Sequence, residues 1–384
     1  MDITITPGTL CGAVAAIPSK SQAHRMLICA AFASTPTNLI CLDTNQDIEA
    51  TADCLRALGA SIVRTGEGYT ISPISEPPDK ATLNCGESGS TLRFMLPIVG
   101  ALGVEATFQM AGRLPQRPLY PLWEEMERMG CSLTRPTDCT IQCIGQLLPG
   151  DYSIDGSVSS QFITGLHFAL PLINGDTSLK VTGKLESRPY ITMTKKAIET
   201  FCYPGNPSPG TVTVEGDWSN AAFWLTAKFL GNDLTITNLD PVSPQGDRAI
   251  SVLLPQMEER KVTFSAADIP DLVPILSVAA ATKNGAIITD IQRLRLKESD
   301  RVASVIAMIT ALGGHAEATQ SVLTVHGADF TGGIVDACND HRIAMAAAVA
   351  ATVCTEKVTI LGAECVNKSY PKFWEEYSRL GGKI

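Results

Sequence analysis

The sequence has few charged residues, and basic residues do not outnumber acidic ones. Charged residues make up 18% of 384 positions, and the formal net charge is −9 with a pI near 5.1. Nucleic acids and anionic membranes select basic surfaces, so the composition argues against either as the main partner. Apolar residues reach 45%, which is enough for packed cores. We expect a globular protein, and the length favours two domains.

Features of exported and membrane-bound chains are also missing. The opening segment MDITITPGTL has no basic region followed by an apolar run, and no eighteen apolar residues stand together. We therefore expect a cytoplasmic protein. The twelve cysteines scatter through apolar segments, which favours free buried thiols over disulfides. Only Cys139 and Cys143 are close in sequence, and no histidine stands near them, so we expect no metal site.

One pattern recurs six times along the chain. A small polar or charged cluster runs into about a dozen mostly apolar residues, as expected for a capped and largely buried helix. The six segments begin at Ser19, Glu87, Ser157, Gly216, Asp268 and Asn339. Repeats of this kind are typical of a fold assembled from similar units.

Each apolar segment is followed by a short strand-like segment and then by a helix with charges on one face. Several of these second helices end in Gly before a β-rich hairpin, as in residues 59–72 and 313–327. The pattern predicts six β-α-β-α-β-β units, three in each of two domains, in an inside-out α/β barrel with the apolar helices inside. An ordinary doubly wound α/β protein is the alternative.

Polar residues stand at the predicted starts of these helices, where unpaired N–H groups and the helix dipole attract anions. They are Lys20, Ser21 and Arg25; Gly89, Ser90 and Arg93; Ser159, Ser160 and Gln161; and His341 and Arg342. Taken singly, each serine is explained equally well as an N-cap, and each arginine as a side chain that reaches water. Their joint placement favours anion binding.

Two other stretches concentrate charge. Arg117 precedes Pro118 at the start of an outer helix, and the segment LRLKESDR contains Lys297, Glu298 and Arg301. The second stretch is explained alternatively as a solvated charge run. Asp271 opens an apolar helix, where a carboxylate serves either as a cap or in proton transfer.

Nine motifs follow one another in a characteristic order. They are P-S-K-S-x-x-x-R (18–25), S-G-S-x-x-R (88–93), R-P (117–118), D-G-S-V-S-S-Q (155–161), S-R-P-Y (187–190), I-P-D (269–271), R-L-K-E-S-D-R (295–301), N-D-H-R-x-A-M (339–345) and K-S-Y-P (368–371). This series resembles the EPSP synthase (3-phosphoshikimate 1-carboxyvinyltransferase) family, and it extends over nearly the whole chain.

The resemblance implies an organisation into two domains. Residues 1–17 and 217–384 would form the first, discontinuous domain, and residues 18–216 the second. The chain would cross between them near 17–20 and 213–217, with the active site in the cleft between the domains.

The resemblance also implies the substrates, phosphoenolpyruvate as donor and shikimate 3-phosphate as acceptor. The acceptor site would contain Lys20, Ser21, Arg25, Ser159, Ser160, Gln161, Ser187, Tyr190, Asp271 and Lys297. The donor site would contain Lys20, Gly89, Arg93, Arg117, Gln161, Arg301, His341, Arg342 and Lys368. Asp271 would be the base for the acceptor hydroxyl, and Glu298 would move the methylene proton. Lys20 and Lys297 would stabilise charge. We expect no cofactor and a monomer.

Some positions depart from the family pattern. Glu87 stands where Asn is usual beside the Gly89 loop, Phe94 where many members have Pro, and Arg293 where some have Asn. Two alternatives remain. One is the related transferase that uses UDP-N-acetylglucosamine, although its loop cysteine is missing and Lys20 is followed by Ser21 rather than Asn. The other is a non-catalytic scaffold that binds anionic metabolites or RNA.

Overall fold

The computed structural model describes all of residues 1–384. The chain divides into two compact units: unit 1 contains Met1–Ile17 and Gly216–Ile384, and unit 2 contains Pro18–Glu215. Gly216 therefore lies in unit 1, whereas the predicted boundary assigned it to the other domain. Each unit has its own hydrophobic core. No helix is both long enough and apolar enough to span a membrane.

Twelve α-helices are distributed over the two units. They are α1 (Lys20–Ala31), α2 (Gln46–Ala57), α3 (Gly89–Leu102), α4 (Leu122–Arg128), α5 (Ser160–Ala169), α6 (Arg188–Phe201), α7 (Trp218–Phe229), α8 (Ile250–Glu259), α9 (Val273–Ala281), α10 (Arg301–Ala311), α11 (His341–Ala350) and α12 (Phe373–Arg379). The six predicted apolar helices are α1, α3, α5, α7, α9 and α11.

Nineteen strands accompany them. They are β1 (Ile3–Ile5), β2 (Cys11–Ala15), β3 (Thr37–Ile40), β4 (Ser61–Arg64), β5 (Gly68–Ser72), β6 (Lys80–Asn84), β7 (Glu105–Gln109), β8 (Cys131–Thr134), β9 (Thr140–Gly145), β10 (Gly150–Asp155), β11 (Thr177–Thr182), β12 (Thr211–Thr213), β13 (Asp233–Thr237), β14 (Val262–Ser265), β15 (Ala286–Thr289), β16 (Ala316–Ala318), β17 (Val322–Val325), β18 (Gly333–Asp336) and β19 (Val358–Leu361).

The apolar helices are buried as predicted. Every residue of α9 and of α11 is buried, and so are all residues of α3 from Thr91 to Ala101. The helix that follows each of them keeps one face exposed; in α10, for example, Ala303 and Ala307 are exposed. Because the wholly apolar helices form the cores, the sheets and amphipathic helices lie outside them. The inside-out arrangement is confirmed.

Three sheets share one topology. Their strand orders are β12-β3-β5-β4, β6-β7-β9-β8 and β14-β15-β17-β16. In each, the first two strands pair in parallel, and a hairpin then adds two antiparallel strands. No sheet has more than four strands, so the doubly wound alternative is wrong.

The other three units are shorter than predicted. Strand β10 pairs only with β11, and β13 pairs only with β2. Strand β18 pairs with β19, which pairs in turn with the N-terminal β1. These units carry no hairpin of their own. After α6 and α8 the chain leads on to β12 and β14 of other sheets, and after α12 Lys383 forms only an isolated bridge with Thr6.

A glycine allows close helix packing beside Arg93 and Gln161, two of the predicted site residues. A Cβ atom at Gly165 of α5 would fall within clashing distance of the carbonyl oxygen of Arg93 on α3. The two helices therefore approach each other backbone to backbone at this point. One turn earlier on α5, Gln161 is consequently held beside the side chain of Arg93.

Candidate active site

Arg25 is a buried cation in unit 2 whose partners are all neutral. It lies in α1 and is 2% exposed. Its guanidinium donates to the hydroxyl oxygens of Thr194 (2.9 Å) and Thr164 (3.5 Å). It also donates to the carbonyl oxygens of Tyr190 (3.0 Å) and Ser21. Burial lowers the pKa of Arg25 to about 10, and no carboxylate opposes this. Such a guanidinium suits an anionic ligand.

Serine caps fix the starts of the three apolar helices of unit 2. The hydroxyl oxygens of Ser19, Ser88 and Ser159 accept backbone N–H groups in the first turns of α1, α3 and α5. The cap interpretation therefore holds for Ser159. It is wrong for Ser21, which lies inside α1, and for Ser160, which is the first residue of α5.

Two guanidinium groups lie against the start of α3. A Cβ atom at Gly89 would stand 2.7 Å from Nη1 of Arg117 and 3.1 Å from Nη1 of Arg93. Nη1 of Arg93 donates to Oε1 of Gln161 over 2.6 Å, and the amide nitrogen of Gln161 donates to Oγ of Ser90 over 2.9 Å. A side chain at position 89 would displace the Arg117 guanidinium from its place beside the helix N-terminus. This geometry suits a carboxylate or phosphate.

The remaining predicted residues of unit 2 lie at the starts of α1 and α6. Lys20 opens α1, and its Nζ lies 2.8 Å from Oδ2 of Asp47. Asp47 was not recognised in the sequence. Ser187 precedes α6 with a left-handed φ of 56° and is buried. Tyr190 lies in the first turn of α6, where its carbonyl oxygen binds Arg25.

Arg301 is the centre of the unit 1 cluster. It is fully buried and donates to three carboxylates. Its Nε and Nη2 bind the two oxygens of Asp340 at 3.0 and 3.3 Å. Nη1 binds Oδ1 of Asp271 at 2.8 Å, and Nη2 binds Oε2 of Glu298 at 2.7 Å. Burial lowers the pKa of Arg301, but the three carboxylates outweigh this and raise it above its usual value.

Asp271 is not a helix cap. Helix α9 begins after it with Leu272 at the cap position and no side-chain cap bond. Besides Arg301, its carboxylate lies 3.1 Å from Nη2 of Arg342 and 3.5 Å from Nζ of Lys297. Burial raises the pKa of Asp271, but Arg342, Lys297 and Arg301 together hold it well below its usual value. The cap interpretation is therefore wrong, and the carboxylate is firmly ionised.

The other predicted residues of unit 1 surround this cluster. Burial lowers the pKa of Lys297 to about 8, although Asp271 raises it. His341 and Arg342 open α11, whose N-cap is Asp340. Lys368 donates through Nζ to the carbonyl oxygen of Asn339 over 2.8 Å. The unit 1 cations thus gather at the start of α11.

The segment LRLKESDR divides into two environments. Asp300 caps α10 and pairs with Arg295 at 3.3 Å, as a solvated charge run would. Arg301 fails that interpretation because it is fully buried. The predicted contact of Arg301 with phosphoenolpyruvate stays a prediction. A phosphoenolpyruvate anion that touched Arg301 would have to compete with the carboxylates already bound to this side chain.

A further buried acid, Asp247, was missed in the sequence. One of its oxygens accepts from the hydroxyl of Ser219, whereas Oδ1 is buried and has no hydrogen-bond partner. Burial raises the pKa of Asp247 to about 7, Asp271 adds to the increase, and Arg342 opposes it. The local sequence Q-G-D-R (245–248) does not indicate that the carboxylate of Asp247 is buried, because the residues that surround it belong to distant segments.

We predict that Asp247 makes the stability of the protein depend on pH. Its pKa is about 7 in the folded chain and about 3.9 in an unfolded one, so folding favours the protonated form. The stabilisation is present at acidic pH and is lost as the pH rises through 7. Denaturant titrations should show a loss of about 1.4 kcal/mol between about pH 6 and 8.5 that Asp247→Asn lacks.

A matched control for this comparison is Asp138→Asn, because Asp138 is exposed. Its pH dependence should follow that of the unmodified protein. If Asp247→Asn also followed it in parallel, the raised pKa of Asp247 would be refuted.

Known proteins resemble this chain along its whole length. The model of the family "EPSP synthase (3-phosphoshikimate 1-carboxyvinyltransferase)" matches residues 5–377. The 3-phosphoshikimate 1-carboxyvinyltransferase of Clostridium kluyveri is 38% identical over 418 aligned residues, which include 100% of this chain and 98% of the relative. The enzyme of that name from Clostridium acetobutylicum is 36% identical with the same coverage.

Solved structures support the fold. EPSP synthase from Acinetobacter baumannii superposes with a TM-score of 0.80 at 22% identity and covers 99% of this chain and 98% of its own. The enolpyruvyl transferase NikO from Streptomyces tendae superposes with a TM-score of 0.72 at 21% identity and covers 99% and 97%. At these identities the likeness shows the inside-out α/β fold alone. Together with the family match and the relatives, it establishes that this chain is a member of the EPSP synthase family.

Proposed function

We propose that the protein transfers the enolpyruvyl group of phosphoenolpyruvate to the 5-hydroxyl of shikimate 3-phosphate. The products are 5-enolpyruvylshikimate 3-phosphate and phosphate, formed by addition and then elimination. The family membership supports this activity, which belongs to aromatic amino-acid biosynthesis by the shikimate pathway. The observation that carries the proposal is that one buried guanidinium, Arg301, binds both carboxylates predicted for proton transfer, Asp271 and Glu298.

The cations of unit 2 supply the anion binding that the proposal needs. Each substrate carries a phosphate and a carboxylate, and planar guanidinium groups bind both with paired hydrogen bonds. Arg25 has only neutral partners and would take the acceptor, together with Ser21, Ser159 and Ser187. The arginine pair at Gly89 would take the donor.

The carboxylates of unit 1 supply the proton transfers. The reaction requires an acid for the methylene carbon of the donor and a base for the acceptor hydroxyl. We assign the first role to Glu298, whose side chain is 25% exposed. We assign the second to Asp271. Lys20 and Lys297 would stabilise the charge that develops at the reacting oxygens.

Asp271 needs a further condition to act as a base. A carboxylate whose pKa lies well below its usual value takes up a proton poorly at neutral pH. Bound substrate anions would compete with Asp271 for Arg342, Lys297 and Arg301. We infer that this competition raises the pKa of Asp271 only when both substrates are present, so that the base becomes effective at the right time.

An activity assay separates the proposal from its alternatives. We expect phosphate release from phosphoenolpyruvate that depends on shikimate 3-phosphate and not on UDP-N-acetylglucosamine. Release with UDP-N-acetylglucosamine instead would support the related transferase. Binding of both substrates, followed by calorimetry, without any phosphate release would support the non-catalytic scaffold.

We predict that Glu298→Gln lowers turnover by about 10² or more, the usual effect of removing a positioned proton-transfer group. Glutamine keeps an oxygen that can accept from Arg301, so the melting temperature should change little. The variant should also lose exchange of the methylene protons of phosphoenolpyruvate with solvent deuterium, measured by NMR.

The matched control is Asp300→Asn, a neutralised acid two residues away whose amide can still cap α10. It should keep near-normal turnover and exchange. Near-normal turnover in Glu298→Gln would remove its catalytic assignment.

Asp271→Asn should also lose turnover by about 10² or more. Because this substitution removes the counter-charge of three cations, the melting temperature of the variant must be measured as well.

We further propose that the two sets of residues meet in a cleft between the units, since unit 2 holds Lys20 and Arg25 while unit 1 holds Asp271 and Glu298. Neither unit contains all the predicted groups. Small-angle scattering should give a smaller radius of gyration with shikimate 3-phosphate plus an anion in the donor site. UDP-N-acetylglucosamine serves as the control ligand. An unchanged radius with both sites filled would contradict closure.

A further inference from the structure

A cluster of metal-ligand side chains lies on the β16–β17 hairpin of unit 1. Register pairs Ala316 with Val325, and the backbone N–H of His326 donates to the carbonyl oxygen of His315 over 3.0 Å. His315 and His326 are therefore direct cross-strand neighbours. Glu317 follows His315 by two residues, so its side chain points to the same face of the sheet.

The burial pattern shows which face this is. Ala316, Leu323 and Val325 are buried against the core, whereas His315 and Glu317 are exposed and His326 is half-buried. Since side chains alternate along a strand, all three candidate ligands stand on the outer face. Solvent and ions therefore have access to this face of the hairpin.

The three side chains already lie close together. The imidazole rings are 4.9 Å apart between centroids, and Nε2 of His326 lies 3.6 Å from Oε1 of Glu317. One ligand atom from each residue falls within 4.8 Å of the other two. Nε2 of His326 is buried and has no hydrogen-bond partner. A polar atom of this kind, facing two other potential ligands, is placed to bind an ion.

The donor set selects a class of ion. Two imidazole nitrogens and one carboxylate oxygen suit zinc and similar divalent transition metals, whereas magnesium and calcium prefer oxygen ligands alone. Ligand atoms around a tetrahedral zinc ion are about 3.4 Å apart, given bonds of about 2.0 to 2.1 Å. A tetrahedral site therefore requires the side chains of His315 and Glu317 to rotate toward His326, and both are exposed.

We propose that His315, Glu317 and His326 form a binding site for a divalent transition-metal ion of the zinc class. The ion joins the two strands at the open end of the hairpin and stabilises unit 1. Three protein ligands leave one position for water.

The site is remote from the proposed chemistry within unit 1. His326 follows Val325, which lies level with Ala286 at the start of β15. Asp271 and Lys297 follow the opposite ends of β14 and β15, after Ser265 and Thr289. The metal site therefore does not depend on the proposed function.

Zinc titration of the full chain, without a polyhistidine tag and after treatment with a chelator, tests the proposal. Calorimetry should show one ZnCl₂ site, and the thermal unfolding midpoint should rise with zinc. His315→Gln combined with His326→Gln should abolish both effects, and Glu317→Gln should weaken binding about tenfold or more. The matched control, His167→Gln, changes a histidine in unit 2 and should bind zinc normally.

Folding of the variants is checked by far-UV circular dichroism in the absence of zinc, and the spectrum should be unchanged in all of them. Zinc binding that persists in the double histidine variant would overturn the proposal and place the ion elsewhere, for example on one of the exposed thiols of Cys11, Cys139, Cys202 or Cys338. Absence of any saturable zinc binding to the unmodified chain would overturn it as well.

Discussion

The pairing of one buried guanidinium with three carboxylates organises unit 1. Arg301 opens α10, Asp271 stands just before α9, and Asp340 caps α11, so one side chain joins the starts of three helices. An unpaired charge at a fully buried position would cost several kcal/mol. An arrangement that buried Arg301 away from these carboxylates would therefore be strongly disfavoured. The same requirement places Glu298 beside them.

Unit 2 contains a buried arginine, Arg25, that has no carboxylate partner. There the buried Arg25 has neutral hydroxyl and carbonyl oxygens as partners, which satisfy its N–H groups without neutralising its charge. The lowered pKa of Arg25 records the cost of this arrangement. A bound anion would offset the cost of burying the Arg25 charge. For Arg301, carboxylates of the protein itself have this effect. The contrast between the two arginines supports the proposal that Arg25 binds an anionic ligand, whereas Arg301 already has carboxylate partners within unit 1.

Sequence patterns predicted the helices better than the partners of charged side chains. Helices such as α9 and α11 follow from long apolar runs, because only a buried helix tolerates them. The local sequence around Asp271 suggests a helix cap. The carboxylate instead pairs with Arg301 and Arg342, which lie far away in sequence. Asp247 was missed for the same reason. His315 and His326 were missed although the predicted hairpin contained the signal, since its register sets them opposite each other.

The charge arrangement in unit 1 also determines how strong the proposed base can be. Arg342, Lys297 and Arg301 hold Asp271 ionised, which a base requires, yet they stabilise the carboxylate so well that it binds a proton weakly. The same cations are the groups that a phosphate or carboxylate of a substrate would seek. Under the proposed assignment, substrate binding and base strength would be coupled through shared cations: each hydrogen bond that a substrate took from Arg342 would be one that Asp271 lost. If Asp271 is the base, as we propose, it would bind a proton weakly until both substrate anions were bound.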